Sequence, residues 1–429
     1  MKNVVFLLLI LVCGSTANAQ SRDNSIEPIF ARAFDLSGAN LSFGFMQMSQ
    51  DGEFSIKGPS LGVGVGARIG TISDVPIALE WNSTTAWGTS ESSSTQIQGS
   101  DPIVITSAIS PVGSIDLTTL VNATGASADA TVQITDSTGD TASIFSSAFS
   151  PIAPNAAVSQ FALSQTASGG AFVALNTNGD TGLAASYATI FDDTGFLFLG
   201  TGEATNTAIT TSVSDRTTYT GHSMFLSAGF PISDRWTIRP KFGPMYRNFS
   251  RSKTTATTID IDEGFSAAPS IPNINLAETT TLDSSYFGAI FGTTVSSEFH
   301  DKWLISLGAD VGLAGFNTNT NNFSTVSIAG ASSTIPEGSM KATGTSRIGR
   351  LSAGLTHIRP NGAIINLNAF VDYMSDVPYV QTTTVAQPAV VDNGTDVGLV
   401  GTGQTYRVHS IRQKEIFSSG FDFGIVFLF

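Results

Sequence analysis

A base beside an oxygen is the minimum that nucleophilic catalysis requires, so imidazoles next to hydroxyls come first. The chain has four histidines, His222, His300, His357 and His409, and two of them adjoin serines as His222-Ser223 and His409-Ser410. Both pairs lie in extended-chain patterning, where adjacent side chains point to opposite faces, so neither pair can itself form a base-to-nucleophile contact. Chance adjacency in a serine-rich chain is the simpler reading, and no enzymatic activity is expected. Oxygen ligands are the next resource: Asp260, Asp262 and Glu263 precede Gly264, and Asp136 stands near Asp140. Neither set has the full spacing of a calcium loop, so a solvated acidic loop is the default. The glycines Gly62, Gly64 and Gly66 alternate along a strand and do not open a helix, which rules out a phosphate cradle. No metal and no cofactor is expected.

A larger polar set is more regular. Arg68, Glu80, Arg239, Lys241, Arg247, Glu298, Asp310, Arg350, Asp372 and Asp422 each interleave with apolar neighbours; five are basic and five acidic. The element that positions them is the alternating strand, which shows most clearly at the C-terminus. There Phe417, Phe421, Phe423, Ile425, Phe427 and Phe429 share one parity, while Gly420, Asp422 and Gly424 share the other. Such an apolar face must be covered, yet helical periodicity is nearly absent and nothing in the chain offers a second layer. Lipid is the natural cover. A final strand that ends on Phe429, with aromatics at every second position, resembles the assembly signal of Gram-negative outer-membrane β-barrel proteins. The resemblance extends over the mature chain as an architecture. It implies an all-β, transmembrane antiparallel barrel in the outer membrane, in contact with lipid and lipopolysaccharide. It also implies that barrel-assembly machinery reads Phe423, Ile425, Phe427 and Phe429.

The same alternation recurs at residues 61–69, 77–82, 287–295, 303–313 and 365–373. With residues 41–48 as the first strand, three strands fall before residue 90 and seven after residue 217, an even ten. Short turns at 231–235, 300–302 and 359–362 separate them on one side, and long polar stretches at 252–283, 317–343 and 376–403 on the other. Short turns face the periplasm and long loops face outward in this architecture. Between residues 69 and 215 there is not one Lys or Arg. Residues 88–217 read as a Ser/Thr/Ala/Gly-rich extracellular insertion, far longer than an ordinary loop. A hairpin at 183–191 and 196–201 is the alternative: placed in the wall, it would make twelve strands. Trp236 and Tyr246 share a face ten residues apart, about 25 Å along a tilted barrel axis, which matches the spacing of aromatic girdles. Pro240 and Pro244 in that strand predict a locally irregular wall.

If apolar residues face lipid, the ten charged residues face the lumen, since a charge on the lipid side costs roughly 2 to 4 kcal/mol at mid-membrane. Two readings follow. The first is a porin-like channel for passive diffusion of small hydrophilic solutes, with the basic residues opposing the carboxylates across water. The alternative is a non-conducting barrel with a salt-bridged core, anchoring the long insertion at the surface as an adhesin or structural element.

The N-terminus supports export: Lys2, an apolar stretch at 4–12 and the small-residue site Ala17-Asn18-Ala19 read as a cleaved signal peptide over residues 1–19. Residues 20–40 then form a periplasmic segment and 41–429 the barrel. Cys13, the only cysteine, leaves with the signal. No apolar run reaches the roughly 20 residues of a spanning helix. A net charge of −14 excludes nucleic acid as a partner.

Overall fold

The computed structural model describes twenty-one strands between Gly38 and Leu428 and the turn residues 73–74, 229, 235, 273, 302 and 359. The proposed signal and most of the segment after it lie outside the described residues. Three strands open the chain: β1 (Gly38–Gln50), β2 (Phe54–Ile72) and β3 (Val75–Gln98). Eight short strands follow, β4 (Pro102–Ala108), β5 (Asp116–Thr124), β6 (Ser127–Thr135), β7 (Thr141–Phe149), β8 (Ala156–Ala162), β9 (Ser168–Asn178), β10 (Thr181–Asp192) and β11 (Gly195–Glu203). Then come β12 (Thr207–Ala228), the four-residue β13 (Phe230–Ser233), β14 (Trp236–Asp260), β15 (Ile274–His300), β16 (Trp303–Ile328), β17 (Ala331–Ile358) and β18 (Ile364–Thr384). The last are β19 (Ala389–Asp392), β20 (Val397–Gly401) and β21 (Arg407–Leu428).

Ten long strands close into a ring in the order β12, β3, β2, β1, β21, β18, β17, β16, β15, β14, and β14 returns to β12. All are antiparallel, and the first strand pairs with the last from Gly38↔Leu428 to Ser49↔Phe417. Closure removes every edge in the one environment where an unpaired backbone group has no water to bond. The outer surface is apolar over a band about eleven residues tall. Phe417, Phe421, Phe423, Ile425 and Phe427 are exposed on β21, and Trp303, Ile305, Leu307, Val311 and Leu313 on β16. Spanning takes about 9 to 11 residues of tilted strand, so this band is the membrane zone.

The strands run on well past it. β17 has 28 residues and β14 has 25. On β16 the exposed face changes from Leu313 to Asn317, Asn319 and Asn321 without breaking register. The long polar stretches are therefore mostly wall: β16 and β17 stay paired out to Ile328↔Ala331. Residues 88–98 and 207–217 likewise continue β3 and β12. Threonine has high β propensity, so the loss of apolar alternation marks where lipid ends and says nothing about where the strand ends.

Above the band the ring parts. The ladder between β17 and β18 runs only from Ile358↔Ile364 to Ile348↔Met374, just below a bulge at Ser375 and Asp376, where Asp376 has φ 55°. Six strands (β3, β12, β14 to β17) continue upward as one curved sheet, while β18 and β21 rise as a separate pair. At the tip of β1, Gln50 ties that strand to the foot of the separate pair, donating to the Val377 carbonyl on β18 at 3.1 Å and the Lys414 carbonyl on β21 at 3.3 Å. The two prolines of β14 leave its ladder to β15 unbroken. The irregularity falls on the other side, where pairing with β12 lapses between Ser223↔Met245 and Leu226↔Phe242.

The segment between β3 and β12 folds into two five-stranded sheets, β4-β11-β10-β9-β8 and β19-β20-β5-β6-β7. The 181–203 hairpin thus exists, but it belongs to the first of these sheets and the wall keeps ten strands. The second sheet recruits β19 and β20 from the connection between β18 and β21, with Val397 opposite Val121. Val121, Ala130 and Val132 are buried.

Candidate functional site inside the barrel

Register places four of the charged residues in a single row. Lys241 on β14 is level with Gly292 on β15, Asp310 on β16, Arg350 on β17 and Asp372 on β18. Signs alternate along the row, the arrangement that cross-strand pairing favours. Lys241 Nζ reaches over Gly292 to Asp310 at 2.9 Å. Glycine is required there, because a Cβ on residue 292 would collide with the Asp310 carboxylate. Arg350 Nε stands 3.5 Å from Asp372. One step toward the short-turn end, Arg239 Nη2 pairs with Glu80 Oε1 at 2.9 Å, and Ser227 on the intervening β12 donates to the same oxygen at 2.7 Å. Asn368 Nδ2 donates to Asp422 Oδ2 at 3.2 Å. Arg247 is buried beside this group. The remaining two of the ten stand at the rim: Arg68 is exposed and donates to Thr71 Oγ1 at 3.2 Å, and Glu298 sits near the β15–β16 turn.

Over the charged row lies an apolar layer that was not anticipated. Tyr219, Phe249, Tyr286, Phe316, Met374 and Ile416 are among seventeen buried residues of one cluster drawn from nearly every wall strand. Tyr286 is fully buried, and its ring packs on Phe316 with centroids 5.6 Å apart. The two layers are joined by cations on aromatic faces: Lys241 Nζ is 4.9 Å from the Phe225 ring and Arg350 Cζ is 4.5 Å from the Phe370 ring. A cation over a ring face is attracted by the ring quadrupole, more strongly where water is excluded. Beyond the apolar layer the interior turns polar again. Ser284 and Thr318 share a hydrogen bond of 2.8 Å, and Arg251 holds Asp215 through Nε at 3.1 and 3.0 Å and Nη2 at 2.6 Å.

Arg251 and Asp215 stand at the borders of stretches with loop-like composition, which hides their place on the inward face. Parity would have found Arg251, since it continues the odd-numbered series Arg239, Lys241 and Arg247 on β14. The apolar layer was legible too, in stretches apolar on both parities. Tyr286 and Ile290 alternate with Phe287 and Phe291, and the first pair is buried while the second is exposed.

His222 stacks between Trp81 and Tyr246, with centroids 6.2 and 6.1 Å away, and His357 packs on Trp303 at 4.3 Å. His409 Nδ1 bonds Thr382 Oγ1 at 3.0 Å. The side chain of His300 lies outside the described residues, as do Asp136, Asp140, Asp262, Glu263 and Phe429. Among the described residues no group of three or more acidic, Cys or His side chains is placed to hold a metal ion. Phe423 and Ile425 face lipid opposite Phe43 and Leu41 across the β1–β21 closure, and Phe427 lies opposite Ala39.

Ring, lipid-facing band and filled interior together define a transmembrane β-barrel of ten strands. No protein-family model matches the chain, and no curated protein matches it. Among solved structures it is similar to the outer membrane protease OmpT from Escherichia coli, at 8% identity and a TM-score of 0.26 over 74% of this chain and 97% of that one. It is also similar to a FadL homologue from Pseudomonas aeruginosa, at 10% identity and TM-score 0.21 over 92% and 91% of the two chains. A third is the toluene transporter TodX from P. putida, at 9% identity and TM-score 0.18 over 91% of each.

Proposed function

We propose that the protein is an outer-membrane barrel that does not conduct, and that it anchors and displays the paired sheets of β4 to β11, β19 and β20 for adhesion or recognition at the cell surface. The observation that carries this reading is the apolar layer across the bore, within which Tyr286 is fully buried. A ten-stranded ring is narrow, so one layer of large side chains suffices to fill it. Three of the charged pairs that a channel would need as a transverse field are spent on each other. The signal-like pattern of residues 1–19 and the aromatic C-terminal strand support the location. A porin-like channel is the second reading, favoured by the small polar cavity beneath the layer. Planar-bilayer recording separates the two: the display reading expects no steady conductance from the reconstituted protein, and reproducible single-channel steps would restore the channel.

A further inference from the structure

The cavity beneath the apolar layer has a volume of about 250 Å³ and is bordered by Lys241, Arg247, Arg350, Asp310, Asp372 and Asp422. Three charges of each sign make it neutral as a whole, yet they are not all matched. Lys241 with Asp310 and Arg350 with Asp372 are close pairs. Arg247 is only 6% exposed and has no hydrogen-bonding or ion-pair partner among the described residues. Asp422 accepts one hydrogen bond, from the Asn368 amide, and is attracted by Arg350 without forming a close ion pair with it. On the neighbouring β1, the buried side-chain oxygen of Asn40 has no hydrogen-bond partner either. β14, which carries Arg247, and β21, which carries Asp422, lie five strands apart in either direction round the ring of ten. One uncompensated positive group therefore faces one under-compensated negative group across the bore.

We propose that this cavity is a binding site for a small zwitterion, with its carboxylate on the Arg247 guanidinium and its ammonium on Asp422 and the Asn40 oxygen. The ligand class is a small α-amino acid or a compound of the same charge layout. A planar guanidinium presents paired donors that match the two oxygens of a carboxylate. Carboxylate and amide oxygens are acceptors only, which suits an ammonium group. A simple anion would leave Asp422 unanswered and a simple cation would leave Arg247 so, and a buried charge without a partner is unfavourable. The volume falls below the roughly 300 to 1,000 Å³ of drug-sized sites, so the ligand is small. With the apolar layer above, entry is from the other end, where the lining reaches Asn40 and Gly64 near the start of β1.

The test uses the full-length protein folded in detergent micelles, with glycine, acetate and methylammonium as probes in calorimetric titration and thermal unfolding. Glycine is expected to bind at least about tenfold more tightly than either half-molecule and to raise the unfolding temperature in proportion to occupancy. Arg247→Gln should remove the response to glycine, and Asp422→Asn should remove the preference for glycine over acetate. Equal binding of acetate and glycine by the unaltered protein, or no binding of glycine at all, overturns the proposal. That comparison needs no variant, so a misfolded mutant leaves it intact.

Discussion

Gly292 lets two charges meet that are anchored two strands apart, and its worth can be measured against a glycine that does nothing of the kind. Gly292→Ala drives a methyl group into the Asp310 carboxylate and should lower unfolding stability in micelles by about 1 to 3 kcal/mol, the usual cost of overpacking. Gly70, around which a Cβ meets no atom within 4 Å, is the control, and Gly70→Ala should stay within about 0.5 kcal/mol. A second pair of variants addresses the outer ion pair. Arg251→Ala leaves Asp215, 6% exposed, buried and unpaired, which should cost about 3 to 5 kcal/mol in a urea titration. Replacing both, as Arg251→Met with Asp215→Leu, should recover most of that loss, because two apolar groups leave no orphaned charge. A double variant as unstable as the single one would mean that the pair also supports the polar core around it.

Among the elements, the wall strands carry two kinds of information, and only one was easy to read. Where one face is apolar and the other polar, as in β21 from 417 to 427, alternation revealed the strand, its lipid side and the ring of ten. Two features escaped because their signals look like something else. The Thr/Ser/Asn pattern of residues 317–328 resembles loop composition, yet Thr318, Thr320 and Asn322 are buried inside a continuing wall. The apolar layer was hidden because inward residues were assumed to be polar throughout. Phe316 and Met374, buried on β16 and β18, test that layer directly. Truncating both to Ala should leave ring formation measurable by heat-modifiable gel mobility, and should open a conducting path in planar bilayers. A pair of variants that folds and stays silent would place the constriction in another part of the interior.

For the whole molecule, the two five-stranded sheets and the wall are joined at a point where they can be separated. Gln98 and Thr207 are directly paired at the top of β3 and β12, so a two-residue turn such as Asn-Gly can replace residues 99–206 without altering the ring. The shortened chain should still assemble and acquire heat-modifiable mobility, while any binding to surfaces or cells should disappear; failure to assemble would show that the outer sheets brace the wall. Their own completion, however, depends on the far end of the chain. β20 lies beside β5, with Val397 opposite Val121, although seven of the ten wall strands come between the two in sequence order or follow them. Contacts so distant along the chain form late. As the polypeptide emerges from its N-terminal end, β5 must wait with a bare edge, the kind of surface that recruits strands from other chains. Crowding of nascent copies is therefore most hazardous in the interval before the β19–β20 hairpin has emerged, since only then can the sheet of β5 to β7 be completed.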